Sequence, residues 1–298
     1  MSVYNSKRFL KYSIESILNQ TYSNFEFLII NDGSTDTSAN IISKYKKLDR
    51  RIIFVNYSNN KGLTFRLNQA IKKTKNNLIA RQDADDISHP KRFEYQVQWF
   101  KENKTGVMCG TNAIIIDENN YKKNIFLFET EYKKICKKLV YQNCFVHSSV
   151  MIKKSTFLKV GCYQKEFKYA QDYDLFCRLS RSGITENIVE RLVEIRKHSE
   201  SITNKNLFDQ TYFSILSSVR YYVKINNIKS LYYKYTFEDF LKNNKTRLFI
   251  RSLIFLHYYD LKLKYRVSFF EINFKEFIYS IKFFKLFLRL IYKFFKNF

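Results

Sequence analysis

The chain has 298 residues and 45% of them are hydrophobic, which is enough to fill the core of one large α/β domain with or without an extension and speaks against general disorder. Its 52 Lys and Arg against 27 Asp and Glu give a formal net charge of +25; such a charge calls for nucleic acid, anionic lipid or phosphorylated ligands, or else for lysines solvated on helix faces. The five cysteines are odd in number, lack Cys-x-x-Cys and zinc spacing and sit in apolar contexts, so reduced thiols are expected. No apolar signal segment opens the chain, and no run of about 20 residues is free of charge, so no spanning helix is expected.

Taken in chain order, Phe25-Glu-Phe-Leu-Ile-Ile30 is a short apolar run that reads as a buried strand, and a helical pattern follows from Ser38 to Leu48. Arg51-Ile-Ile-Phe-Val55 reads as a second strand. Leu63 to Lys73 is a helix with Leu63, Leu67, Ala70 and Ile71 on one face, and Asn77-Leu-Ile-Ala80 is a third strand. Strands alternating with helices imply a mainly parallel sheet covered on both sides. Pro90, the only proline, is expected to open a helix running through Trp99. Glycine stops at Gly183, and from about Asn204 long aromatic, Lys-rich helical patterns replace the strand-like runs. The expected division is an α/β domain over 1–203 and a helical region over 204–298, with no internal repeat.

Three acidic constellations carry candidate chemistry. Asn31-Asp-Gly-Ser-Thr-Asp36 follows the first apolar run, where open α/β sheets bind ligands. An Asp there can accept from a base or ribose and Gly33 permits a tight turn; the alternative is an ordinary turn with Ser34 or Asp36 capping the next helix. Asp83-Ala-Asp85-Asp86 also follows a strand. Carboxylates on alternate residues point the same way and repel unless a cation joins them, which suits a divalent ion bridging a diphosphate, with Arg81 as a second cation. Helix capping by Asp85 or Asp86 ahead of Pro90 is the alternative. Gln171-Asp-Tyr-Asp174 opens a helix with Leu175 and Leu179 on one face; Asp172 there either caps the helix or takes a proton from an attacking hydroxyl.

These segments, together with Val3-Tyr4-Asn5, Asn60-Lys-Gly62, Leu67-Asn-Gln-Ala70 and Arg196-Lys-His198, occur in an order that resembles the family-2 inverting glycosyltransferases of bacterial surface-glycan type. The resemblance covers roughly residues 1–200. It implies a GT-A fold, Rossmann-like, with the helical region as a C-terminal extension. It further implies metal-dependent transfer, with inversion, of a sugar from a nucleotide-sugar donor, a UDP-sugar, to a hydroxyl of a glycan or lipid-linked acceptor. By the match, Val3, Tyr4 and Asn5 form a nucleotide-contacting loop, Asp32 contacts the base, Asp83 contacts the ribose, and Arg81 lies near the donor phosphates or sugar. Asp85 and His198 would bind Mn2+ or Mg2+, and Asp172 matches the general base; Asp86 is left as a cap. Gln171 stands where the family commonly has Glu. Members usually carry an apolar strand before the Val-Tyr-Asn segment, so a stunted first strand is expected here, and a catalytically impaired accessory protein is the alternative. The Gln-x-x-Arg-Trp pattern of processive polymerases is missing, which points to single transfers.

Residues 274–298 carry Lys282, Lys285, Arg289, Lys293 and Lys296 as one helical stripe, with Phe277, Ile281, Phe284, Leu288, Ile291 and Phe295 opposite. Such a helix is too apolar for water and too often charged to span a bilayer, and it suits an anionic membrane interface; packing against protein is the alternative. The implied location is cytoplasmic, peripheral on the inner face of the plasma membrane. No nucleic-acid-binding motif accompanies the charge, so no nucleic acid partner is expected. The whole chain should float with anionic liposomes and lose that binding when 274–298 are deleted; flotation unaffected by the deletion would remove the membrane assignment.

Overall fold

The computed structural model describes residues 1–221 except 141, 200, 202–205, 207–209, 211, 212, 215 and 219; the 274–298 segment lies outside the described residues. The first third is a parallel unit: β1 (Ser2–Val3), α1 (Leu10–Leu18), β2 (Phe27–Asp32), α2 (Ser38–Leu48), β3 (Ile52–Tyr57) and α3 (Leu63–Lys73), with sheet order β1-β2-β3. β1 is short, but Met1 prolongs its ladder: the Met1 carbonyl accepts from the Ile30 N–H at 3.0 Å and the Met1 amino group donates to the Leu28 carbonyl at 2.9 Å. Burial pulls that amino group's pKa down to about 5.

The chain continues through β4 (Leu78–Ala80), β5 (Ile87–Ser88), α4 (Arg92–Glu102), β6 (Gly106–Ile116), β7 (Lys122–Phe126), α5 (Tyr132–Lys138), β8 (Met151–Lys153), α6 (Lys154–Lys159), α7 (Gln171–Ser180) and β9 (Ile184–Arg196). These strands form a six-stranded sheet of order β4-β8-β6-β9-β5 with β7 on β6. β6 and β9 run parallel, while the β4–β8, β6–β8, β6–β7 and β5–β9 pairs are antiparallel, so the second sheet is mixed where the first is purely parallel. The two-residue period of β6 and β8 divides the interior. Met108 and Ile152 join one apolar cluster with α3, α5, α6 and α7, while Cys109 and Met151 join the other with α1, α2, β2 and α4.

Of the boundaries that differ from the pattern in the sequence, two bear on the site. β2 runs past Ile30 to Asp32, because Asn31 and Asp32 still pair with Asn56 and Tyr57 of β3. Pro90 does not open α4. It lies in the turn after β5, where its carbonyl accepts from the Thr21 N–H at 2.9 Å, and Lys91 caps the helix that starts at Arg92. All five cysteines are free. Among the described residues no helix is long and apolar enough to cross a membrane. Of the described residues beyond 204, Tyr221 joins the apolar cluster that includes α7, and Arg220 donates to Asp174 of α7 at 3.1 Å and to Gln164 at 2.6 Å.

Gly33 opens the turn after β2 at φ +71°, and a Cβ there would sit 2.7 Å from backbone atoms of Asn59 and Asn60. Gly62, at φ 87° and ψ 158°, is in a glycine-only conformation but faces open space. Gly62→Ala should therefore cost about 1–3 kcal/mol from backbone strain alone. Gly33→Ala should cost about 1–3 kcal/mol more through the added clash, as read from urea unfolding followed by Trp99 fluorescence.

Candidate active site

The carboxyl ends of β1 and β2 build one wall of the cleft. Val3 is fully buried, and Tyr4 is half exposed at the rim. Asn5, at φ 47°, turns its carboxamide oxygen onto the Thr35 N–H at 2.8 Å, while its own N–H donates to the Ser34 hydroxyl at 3.0 Å. Asp36 caps the start of α2, accepting from Ser38 N–H at 2.9 Å, and also accepts from Lys7 N–H at 3.0 Å. The two loops therefore hold each other in place.

Asp32 sits beneath that wall. It is 2% exposed and accepts from the N–H groups of Lys61 (2.9 Å) and Gly62 (2.8 Å) and from the Arg66 guanidinium. Arg66 stacks 3.7 Å above the Tyr57 ring and donates to the Asn59 carbonyl at 2.7 Å. Arg66 is absent from the acidic motifs, yet the sequence carries a signal for it: a charged residue on the face of α3 shared by Leu63, Leu67 and Ala70 has to be paired.

The acidic segment forms the floor. Exposure alternates along it as expected of extended chain: Asp83 and Asp85 are partly exposed, Ala84 and Asp86 buried. Arg81, 5% exposed, lies under the segment and donates to the Asp83 carboxylate and the Gln82 carbonyl, with its Nε unpartnered. Burial is the largest effect and works to raise the Asp83 carboxyl, but the Arg81 charge, its hydrogen bond and smaller contributions together outweigh it and hold the group below its ordinary value. Asp85 Oδ2 and His198 Nε2 meet at 3.0 Å. The His198 ring packs 5.1 Å from the Phe9 ring, and the Arg196 guanidinium lies 4.5 Å over the Phe9 ring and donates to the Asp85 carbonyl at 3.0 Å. The expectation that Asp86 caps a helix is corrected: no helix begins there. Its carboxylate accepts from the Arg196 N–H at 2.9 Å and from the Ser148 hydroxyl. Burial first, then the charges of Asp85 and Asp83, push its pKa well up. Behind the segment Arg92 is fully buried and donates to Gln82, Ser88, Gln96 and the Arg81 carbonyl.

Asp172 stands across the cleft in the first turn of α7. Ala170 occupies the capping position, so Asp172 is free of that role, and its carboxylate accepts from Asn143 Nδ2 at 3.2 Å. Burial pushes its pKa up to about 6, against backbone N–H groups that favour the ionised form, and the Asp83 charge adds to the rise. Asp174, one turn-step further, is buried and pairs with Arg178 and Arg220 instead of facing the cleft. Asp85 and His198 thus meet directly, the Asp83 charge is close enough to act on Asp172, and Asp32 and Arg81 are buried.

The pattern of glycosyl transferase family 2 matches residues 1–159. The chain belongs to that family. This glycosyltransferase is 36% identical over 247 residues to the O-antigen biosynthesis glycosyltransferase WbnJ of Escherichia coli, covering 79% of this chain and 93% of the relative. It is 30% identical over 210 residues to the putative glycosyltransferase EpsE of Bacillus subtilis, covering 69% and 74%. In fold it resembles S. aureus TarS 1–349 in complex with UDP-GlcNAc, with a TM-score of 0.60 at 12% identity over 85% of this chain and 80% of that one. It also resembles the mannosyltransferase PcManGT from Pyrobaculum calidifontis in complex with GDP-Man and Mn2+, with a TM-score of 0.56 at 9% identity over 90% and 86%. The fold is GT-A: a mixed α/β sheet flanked by helices.

In a glycosyltransferase the Asp32–Arg66 pair would do structural work for the nucleotide wall. Arg66→Met strands a buried carboxylate and should destabilise the fold by about 3–5 kcal/mol, with the double variant Asp32→Asn/Arg66→Met recovering part of the loss. Urea midpoints of the two variants test this; equal losses would mean that Asp32 does not depend on the arginine.

Proposed function

We propose that this enzyme transfers the sugar of a UDP-sugar to an acceptor hydroxyl in one displacement with inversion, and that Asp172 is the base. The observation that carries the reading is the closeness of two acidic centres: Asp83 and Asp85 in the segment after β4, and Asp172 on α7, whose pKa is raised to about 6 by burial with the Asp83 charge adding to the rise. A base near neutrality is ionised at working pH, yet basic enough to take a hydroxyl proton. Asn143, donating to one carboxylate oxygen at 3.2 Å, fixes the rotamer and leaves the other oxygen for the acceptor. Asp83 is aligned by Arg81 for a ribose hydroxyl, and Asn5 orders the loop that lines the nucleotide.

Asp85 and His198 fit a Mn2+ or Mg2+ ion: one carboxylate oxygen and one imidazole nitrogen converge at 3.0 Å with both side chains partly open to the cleft. Among the described residues no third acidic, His or Cys group joins them, so water and the donor diphosphate would supply the remaining ligands. Such an ion, when bound, offsets negative charge on the leaving diphosphate. The likeness to an O-antigen enzyme supports a role in surface polysaccharide synthesis on a glycan or lipid-linked acceptor. The basic, aromatic stripe of 274–298 supports work at an anionic membrane, on its cytoplasmic face.

Asp172→Asn should lower kcat by about 10²–10⁴-fold with the unfolding midpoint retained. In the wild type the proton must leave Asp172 before it can act, so kcat should climb with pH and reach half its plateau near pH 6. An Asp172→Asn enzyme within a few-fold of wild type, correctly folded, would remove Asp172 from the mechanism.

A further inference from the structure

Asn143–Ser149 is a strap between the two acidic centres. At one end Asn143 donates to Asp172, and at the other the Ser148 hydroxyl donates to Asp86. Between them His147 opens a short 3-10 turn, His147–Ser149, and its Nε2 lies 2.8 Å from the Tyr163 hydroxyl, the rings 5.5 Å apart at 69°. Neither side chain has a part in the reaction as derived above.

The fold invests heavily in this one contact. Tyr163 follows two positive-φ residues, Gly161 (90°) and Cys162 (62°). Both of its backbone groups are clamped by Asn68 of α3: the Tyr163 N–H donates to Oδ1 at 3.0 Å, and its carbonyl accepts from Nδ2 at 2.8 Å. Phe157 of α6 packs edge-on at 5.3 Å from the Tyr163 ring, and Phe176 of α7 at 6.3 Å from His147. Tyr163 is 3% exposed, whereas His147 is partly open.

A pair that merely satisfied itself in the core would have no donor to spare. Neutral imidazole and phenol carry one N–H and one O–H, and the bond between them uses one of the two. In either tautomer a donor is left over, Nδ1–H or the tyrosine O–H, and among the described residues no other hydrogen bond to either side chain is found. The pair is also uncharged. Burial, helped by the Arg81 charge, drives the imidazole pKa down to about 3, and burial raises that of the phenol. An uncharged donor beside the Asp83 and Asp172 carboxylates can bond a neutral hydroxyl, and it lacks the positive charge with which a Lys or Arg would hold a diphosphate. The transferred sugar must lie between those carboxylates, since its anomeric carbon is attacked by the acceptor oxygen from the Asp172 side while its bond to the diphosphate oxygen breaks and the diphosphate leaves toward the floor.

We propose that His147 and Tyr163 form a neutral hydrogen-bonding pair that grips a hydroxyl of the donor's sugar ring and so selects which sugar is transferred. This rests on the assignment of the donor to the floor and of the acceptor to Asp172.

Tyr163→Phe removes the O–H and keeps the ring. Titrations with UDP, UDP-glucose, UDP-galactose, UDP-GlcNAc and UDP-GalNAc, each with Mn2+, test the pair by binding, and donor hydrolysis tests it by rate. Wild type should bind one UDP-sugar better than UDP. In Tyr163→Phe the affinity for UDP should stay within about twofold, while the preference among the four sugars, in binding and in kcat/KM, falls by about tenfold or more. His147→Gln, whose amide cannot reproduce both ring nitrogens, should lose the same preference and serves if the tyrosine variant does not fold. Three outcomes overturn the proposal: UDP affinity falling as far as sugar affinity, an unchanged order of preference, or a wild type that binds every sugar no better than UDP. Asp172→Asn run in parallel separates the two readings. A change of preference in Tyr163→Phe beside an active Asp172→Asn leaves the pair standing and removes the base, whereas the opposite pattern removes only the pair.

Discussion

The carboxylate of Asp86 is 5% exposed and accepts hydrogen bonds from the Arg196 backbone and the Ser148 side chain, 110 and 62 residues away in the chain. A carboxylate with so little solvent is costly unless its oxygens are bonded, so the three segments meeting at it are fixed together. The floor segment between β4 and β5, the strap before β8 and the end of β9 converge on this one group. Each then carries a neighbour into the cleft: Asp85 beside Asp86, His147 beside Ser148, and His198 two residues beyond Arg196. If Asp86 held other partners, the distances between these three would be free to change.

The same logic explains where the buried positive charge goes. A net charge of +25 says little about the site, because it is summed over the whole chain. The informative cations are arginines almost closed to solvent: Arg66 under Asp32, Arg81 under Asp83, Arg92 behind the floor and Arg196 against Asp85 and Asp86. Planar guanidinium groups can serve several acceptors in fixed directions, which suits them to hold a cluster of acids at defined spacing. Burying Arg92 costs enough to lower its pKa to about 9, and its hydrogen bonds to Gln82, Ser88 and the Arg81 carbonyl offset that cost. Small residues complete the arrangement. Ser13 and Ser16 let α1 approach the floor closely enough for Ser13 to donate to the Asp83 carbonyl at 2.6 Å and for Ser16 to accept from the Ser88 N–H at 3.1 Å.

Much of this was legible in the amino-acid sequence. The alternation of apolar runs with helical patterns marks β2, α2, β3, α3 and β4, and the spans of α2 and α3 agree at both ends. The acidic motifs fall at the carboxyl end of a strand, just past one or at a helix start, where ligand groups belong. The mixed second sheet was not legible, because β5 and β8 are two and three residues long and an isolated short run carries no period. The role of Asp86 was hidden for a different reason: capping is a local explanation available to any Asp near a turn, whereas its partners are remote in sequence. Arg66 was visible only as an anomaly on an apolar face, since its partner Asp32 comes from another strand.

The sequence by itself determined the family, the order of the motifs and the local chemistry of each, because periodicity and the choice of Asp, Gly and Arg are properties of neighbouring residues. Only the tertiary structure decided which acids stay in the cleft and which are withdrawn into its walls. Asp83, Asp85 and Asp172 remain partly open, while Asp32, Asp86 and Asp174 are paired out of sight. Those six residues are chemically alike in the chain. What distinguishes them is solvent access and the nearest guanidinium, hydroxyl or backbone N–H, and these are set by contacts between segments up to 110 residues apart.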